Sequence, residues 1–308
     1  MTGAFAEAQL YTIPNVIGLN IRASIESGQP LTFHANYKLD DGTERLDYVT
    51  QDGVIRLQRE RARPDALLYS FAGNYTRSSA RDEIASRFGL SHDMRRIYSR
   101  IRTDRFMDNA VSSLYGMRVT ENHPWEATLC YLISQFNNIK RIRGIVRGMI
   151  SRFGDTVEQD GIAFKLFPSP ERISKASINE LMACGTGFRA KYIKNTARAF
   201  SENPGYAGMH GTEYGELKNR LMDLDGVGDK VADCILLFGY RKHMAFPIDV
   251  WIKRVVEEVY FDGRKQKISE IHGFADRKWG SYAGYAQQYL FESGRRNRIG
   301  VRNDKGHR

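Results

Sequence analysis

The chain of 308 residues carries 46 Lys+Arg against 36 Asp+Glu, a formal net charge of +10, and three cysteines. That length suits about two domains, and the basic excess points to a polyanionic partner. Cys130, Cys184 and Cys234 stand too far apart for a C-x-x-C site, which excludes a zinc knuckle, an iron–sulfur cluster and a disulfide framework. No charged-then-apolar leader opens the sequence and no apolar run reaches membrane-spanning length, so a soluble, intracellular protein with no membrane partner and no catalytic metal is expected.

In chain order, residues 16–23, 31–38, 45–51, 54–60 and 66–75 alternate as strands do, with Asp40-Asp41-Gly42 and Asp52-Gly53 as turns between them. Residues 1–78 therefore read as an antiparallel β domain. From Ser79 onward a period of 3.6 takes over in 80–88, 93–101, 125–133, 141–153, 178–182 and 191–200, so 79–294 is predicted to be helical and the fold class is α+β. Residues 295–308 hold Arg295, Arg296, Arg298, Arg302, Lys305 and Arg308 with almost nothing apolar. This stretch is predicted to be a flexible basic tail that adds salt-sensitive affinity for a polyanion.

The most informative segment spans residues 221–249. Leu217, Leu221 and Leu224 lay an apolar stripe along one helix, and Val231, Ile235 and Phe238 start another. Between them Asp225-Gly226-Val227-Gly228-Asp229 is short and glycine-rich, which predicts a helix-hairpin-helix. Gly226 and Gly228 allow positive φ and close approach of another backbone, while the second helix presents its unpaired N–H groups outward, an arrangement suited to phosphate. The same two glycines also serve an ordinary helical hairpin.

Lys230 falls in the first turn of that second helix, where the macrodipole disfavours a cation by roughly 0.3–1 kcal/mol and so favours the neutral, nucleophilic amine. Cys234, four residues on, shares its face. Asp249 stands nineteen residues after Lys230 at the start of an amphipathic stretch. There it reads as an N-cap, and a carboxylate so placed can also stabilise positive charge on a sugar or deprotonate an amine.

Taken together, GVGDKVADCILLF and the following PID resemble the helix-hairpin-helix (HhH-GPD) DNA glycosylase superfamily, specifically its 8-oxoguanine DNA glycosylase/AP lyase family. The resemblance implies that the hairpin, with Gly226, Gly228 and nearby Lys140, holds DNA backbone. It further implies that Asp249 is the catalytic carboxylate and Lys230 the strand-cleaving lysine. The stretch from Trp279 to Phe291 is similar to the family segment that closes the base pocket. By that likeness Gln287 meets the Watson–Crick edge, Phe291 lies against one ring face and Cys234 against the other; a flipped base needs such an edge and plate.

Gly187-Phe188-Arg189-Ala190-Lys191-Tyr192-Ile193 resembles the segment in which an aromatic residue, here Phe188, wedges into the gap and an arginine, here Arg189, reaches the orphaned cytosine. The stretch from Ile133 to Ile142 is similar to the family's opposite-base loop, with Asn137 and Arg141 in place. Phe136 stands where an asparagine is expected, which puts the preference for cytosine in question. Lys140, Arg141, Arg143 and Arg147 read as a basic patch for phosphate. Trp251 replaces a histidine of the pattern. Ser27-Gly28-Gln29 resembles the motif whose glycine carbonyl accepts from N7–H of 8-oxoguanine.

The expected function is therefore a bifunctional glycosylase/β-lyase acting on oxidised guanine in double-stranded DNA, as a monomer and with no cofactor. A monovalent cation at the hairpin is the one ion the likeness leaves room for. Two rivals remain open: a glycosylase for alkylated or other damaged bases on the same fold, and a non-catalytic helix-hairpin-helix clamp on DNA. The catalytic cleft is expected between two helical subdomains.

Overall fold

The computed structural model describes residues 9–299. Its first part is a five-stranded antiparallel sheet made of β1 (Tyr11–Ile13), β2 (Asn36–Asp40), β3 (Thr43–Val49), β4 (Gly53–Glu60) and β5 (Leu67–Gly73), in the order β1-β5-β4-β3-β2. Two stretches expected as strands are partly helical: α1 (Ile21–Glu26) takes the last three residues of 16–23, and α2 (Leu31–His34) the first four of 31–38. The side chain of Asn20 accepts from Ala23 N–H at 2.9 Å and caps α1. All four residues of α2 are buried, and a short apolar run buried all round does not distinguish helix from strand by its period.

The rest is mostly helical: α3 (Arg77–Arg87), α4 (Met94–Ile101), α5 (Arg105–Ser113), α6 (Pro124–Ser134) and α7 (Ile139–Phe153) lead into a small hairpin, β6 (Thr156–Gln159) and β7 (Ile162–Lys165). That hairpin interrupts the predicted helical region. Its signal was local: Asp160-Gly161 forms a two-residue turn, both residues at positive φ, which Asp-Gly adopts readily. Then follow α8 (Pro170–Lys175), α9 (Ile178–Ala183), α10 (Arg189–Glu202), α11 (Tyr214–Met222), α12 (Asp229–Gly239), α13 (Val250–Tyr260), α14 (Ile268–Trp279) and α15 (Ala283–Asn297).

Residues 295–297, expected in the flexible tail, instead belong to α15, which continues through Asn297. Buried Glu292 pairs with Arg295 at 2.7 Å and Arg296 at 2.6 Å, which holds the last turn. Residues 300–308 of that stretch lie outside the described residues. Among the described residues no helix is long and apolar enough to cross a membrane.

Strands give way to helices near residue 78, yet the larger core crosses that point: Phe33, Val49 and Val54 join it beside α6, α7 and α12. A buried polar knot ties the same parts. Glu126 of α6 accepts from Arg87 of α3 at 2.7 Å and meets His34 Nε2 of α2 at 2.7 Å. Burial alone raises the Glu126 carboxyl, but the charges of Arg87 and His34 outweigh it and hold the group at about 2. Its contribution to stability is therefore complete above about 4.5, the unfolded value, and is lost as pH falls toward about 2. Glu126→Gln, which leaves buried Arg87 with Glu83 as its remaining carboxylate partner, is expected to cost about 3 kcal/mol in urea unfolding at neutral pH. It should also flatten the fall of Tm with acid across that window; equal acid slopes for variant and wild type would count against the knot.

Candidate active site

The hairpin is built on one strained glycine and one open one. Gly226 has φ +79°, and a Cβ there would come within 2.7 Å of the Tyr192 ring, so both conformation and space demand glycine. Its carbonyl accepts from Gln135 Nε2 at 3.1 Å, and Thr196 Oγ1 donates to Asp225 O at 3.1 Å. Gly228 departs from the expectation of positive φ: it is extended, at φ −94°, and is the N-cap of α12 without a side-chain cap. A Cβ at Gly228 would meet nothing within 4 Å. The first N–H groups of α12 therefore start from an uncrowded position.

Lys230 is the second residue of α12, its Nζ 5.4 Å from the centroid of the Tyr131 ring. Asp249 caps α13, its Oδ1 accepting from Ile252 N–H at 2.8 Å. Burial pushes the Asp249 carboxyl above its ordinary value, opposed by that N–H and by the charge of Lys230. No ion pair within 4 Å joins the two among the described residues, although both line one cavity. Cys234 lies one turn beyond Lys230, and burial pushes its thiol up to about 12, so it stays neutral as Cys–SH.

These groups line a cavity of about 320 Å³, together with Gly28, Asn137, Gln287 and Phe291, within the roughly 300–1,000 Å³ of small-molecule sites. Gln287 donates from Nε2 to Pro247 O at 3.2 Å, which leaves Oε1 buried with no partner. Gly28 holds φ +77°, and a Cβ there would press on Phe291 at 3.1 Å and Ile139 at 3.2 Å. Its turn is fastened from both sides: Gln288 Nε2 donates to Ser27 O at 2.8 Å, and buried Gln29 donates to Ser24 O and Arg118 O. Sequence reasoning missed Tyr131, Phe238 and Pro247 as lining residues; each lies on an apolar stretch that reads simply as core.

At the rim, Phe136 is 91% exposed at φ +47°, and Phe188, 57% exposed, lies 6.4 Å from it between ring centroids. Lys140 and Arg141 are exposed in the first turn of α7, and Trp251 faces the cavity. Asn137 donates from Nδ2 to Ile133 O at 3.1 Å. Arg189 does not point outward as expected. It is buried, its Nε donating to Gln135 O at 2.9 Å and its Nη1 to Thr186 O at 3.2 Å, because carbonyls past the end of α6 absorb its fork of donors. Two arginines of the basic patch also bind backbone: Arg143 donates to Thr32 O at 2.9 Å and Arg147, still exposed, to Ala35 O at 3.0 Å, fastening α7 to the turn around α2.

Asp249 makes the cost of this arrangement measurable. Because its folded pKa is raised, ionisation is easier in the unfolded chain, and a stability penalty sets in as pH rises through the ordinary carboxylate range. Asn caps a helix about as well as Asp. Asp249→Asn is therefore expected to keep or raise Tm at pH 7, with the gain vanishing at pH 3 in calorimetry; a lower Tm at pH 7 would contradict the burial penalty.

The family model described as HhH-GPD superfamily base excision DNA repair protein matches residues 129–279. The chain is 32% identical over 237 residues to a probable N-glycosylase/DNA lyase of Methanothermobacter thermautotrophicus, covering 70% of this chain and 75% of that one. It is 31% identical over 211 residues to the N-glycosylase/DNA lyase of Saccharomyces cerevisiae, covering 57% and 56%. Among solved structures it is similar to MBOgg1 in complex with a low affinity DNA ligand, at 31% identity and a TM-score of 0.85 over 94% of this chain and 97% of that one. It is also similar to the Clostridium acetobutylicum 8-oxoguanine glycosylase/lyase in complex with dsDNA containing cytosine opposite to 8-oxoG, at 25% identity and a TM-score of 0.83 over 96% and 99%. A fold this widely shared, with a lysine and a carboxylate across one cavity, places the chain in the HhH-GPD superfamily of base excision DNA repair proteins, among its N-glycosylase/DNA lyases.

Proposed function

We propose that this chain excises 8-oxoguanine from duplex DNA and then cleaves the strand by β-elimination, as a monomer inside the cell. One observation carries the reading: Lys230 and Asp249 converge on a cavity that also holds a buried, unpaired amide oxygen of Gln287 and the ring of Phe291. The hairpin and the first turn of α12 grip the backbone, and Phe188 enters the stack that the extruded base leaves. The base edge satisfies Gln287, its ring lies between Phe291 and Cys234, and the Gly28 carbonyl accepts the N7–H that distinguishes the lesion from guanine.

The Lys230 amine, once it has given up a proton, attacks C1′ as the glycosidic bond breaks and its electron pair leaves with the base; Asp249 stabilises the developing oxocarbenium-like charge. Loss of the amine proton and opening of the sugar ring give a Schiff base. Removal of a C2′ proton then expels the 3′ phosphate. None of these steps transfers an electron to a cofactor, and three cysteines cannot supply the four thiolates of an iron–sulfur cluster.

Borohydride should trap a covalent adduct between wild-type protein and an 8-oxoguanine duplex, and Lys230→Gln should lose trapping and at least about a thousandfold in cleavage while still binding DNA. Adduct formation by Lys230→Gln would transfer the nucleophile to another residue, and a wild type that binds without excising would favour the DNA clamp. Phe291→Ala should slow release of 8-oxoguanine more than cleavage of a pre-formed abasic site; equal losses would make Phe291 structural. The Phe136 position addresses the opposite base: with the lesion placed opposite each normal base, Phe136→Asn should sharpen the preference for cytosine by about tenfold. No change between wild type and variant would remove Phe136 from that recognition.

A further inference from the structure

At the far end of α12 from Lys230, three side chains from separate segments meet: His92 from the turn between α3 and α4, Glu121 from the stretch entering α6, and His243 from the loop after α12. His92 Nε2 lies 3.1 Å and His243 Nε2 3.5 Å from the same atom, Glu121 Oε1, and all three atoms fall within 4.8 Å of one another. His243 Nε2 is buried and makes no hydrogen bond. An ordinary histidine–carboxylate pair would aim that nitrogen's proton at the oxygen. Ligands bonded at about 2.0–2.1 Å to a tetrahedral ion sit roughly 3.3 Å from one another, close to the two histidine–carboxylate separations here.

We propose that His92, Glu121 and His243 form a structural binding site for a divalent transition metal, with zinc the ion their two imidazoles and one carboxylate suit best.

The surroundings have the form of supporting interactions around such ligands. Arg241 Nε holds the other carboxylate oxygen, Glu121 Oε2, at 2.8 Å, and Ser86 Oγ donates to it at 3.3 Å, which leaves Oε1 free for the ion. Arg241 in turn donates to Ser86 Oγ at 2.6 Å. His92 Nδ1 is hydrogen-bonded to the Tyr285 hydroxyl; when Nδ1–H is the donor, Nε2 keeps its lone pair for the metal. Both histidine side chains are about one-fifth exposed, giving an ion its route in and a water its place as fourth ligand. A second carboxylate–histidine group, Asp229, Asp233 and His272, differs in this respect: Lys218 Nζ already lies 2.9 Å from oxygens of both aspartates and fills the cation's place. A metal at the first site would clasp the end of α12 to the segments that precede α4 and α6.

The test uses the full chain, stripped with a chelator and then given zinc alone. Elemental analysis after dialysis should find one zinc per chain, and Tm should rise by roughly 5 °C at a hundredfold excess over Kd. Cobalt(II) in its place should show the visible absorption of a tetrahedral site. His92→Gln and His243→Gln should each weaken zinc binding at least tenfold and abolish the Tm rise, while strand cleavage below Tm stays within about twofold, since neither residue lines the cavity. Wild-type protein that retains no zinc and shows no Tm rise would overturn the proposal, as would zinc binding that both variants keep unchanged. The wild-type cobalt spectrum decides the matter even where a variant fails to fold.

Discussion

One buried helix sets the geometry on which everything else depends. Helix α12 is enclosed from Val231 to Gly239 and packs against α6 and α11, so its direction and rotation are fixed by the core. Its first turn carries Lys230 and its second Cys234. A helix start offers unpaired N–H groups to an anion and disfavours a cation beside them. The core therefore fixes the open helix start and the Lys230 side chain together, on the first turn of one rigid element.

Several features around that unit lower stability. Asp249 is a carboxylate whose burial raises its pKa, Gln287 keeps a buried oxygen without a partner, and Phe136 exposes a whole ring from a left-handed backbone conformation. The last two each cost of the order of 1–3 kcal/mol in isolation. They gather at one cavity and its rim, and the polar knot of Glu126, Arg87 and His34 holds the surrounding elements in register. A substrate that supplied a hydrogen-bond donor to Gln287 and a stacking partner to Phe136 would recover part of that free energy on binding.

The arginines divide between architecture and surface. Arg143, Arg147 and Arg189 donate to backbone carbonyls, and Arg295 and Arg296 to Glu292, whereas Lys140 and Arg141 are exposed in the first turn of α7. Net charge thus overstates the cationic surface, because a guanidinium with five donors closes loops and helix ends as readily as it meets phosphate. Arg189 can turn outward only by giving up its bonds to Gln135 and Thr186, so that position couples the shape of the Phe136 loop to anything that draws the arginine away.

The sequence by itself determined the local devices. The Asp225–Asp229 turn between two apolar stripes, the cap at Asp249 and the shared face of Lys230 and Cys234 all follow from the preferences of a few neighbouring residues. The Asp160-Gly161 hairpin was equally local and went unread. Only tertiary structure decided the rest. Gly28 meets Phe291 across 263 residues because the Gln288 hydrogen bond to Ser27 O brings the Gly28 turn onto α15, while Gln29 ties the same turn to Arg118. α1 is a helix because Asn20 caps it, and α2 because all four of its residues are buried, which overrides a weak alternation; Arg189 points inward because carbonyls of a distant segment lie within its reach. Backbone preferences act over one or two turns, whereas cavities and ion clusters are set by which distant surfaces the core presses together.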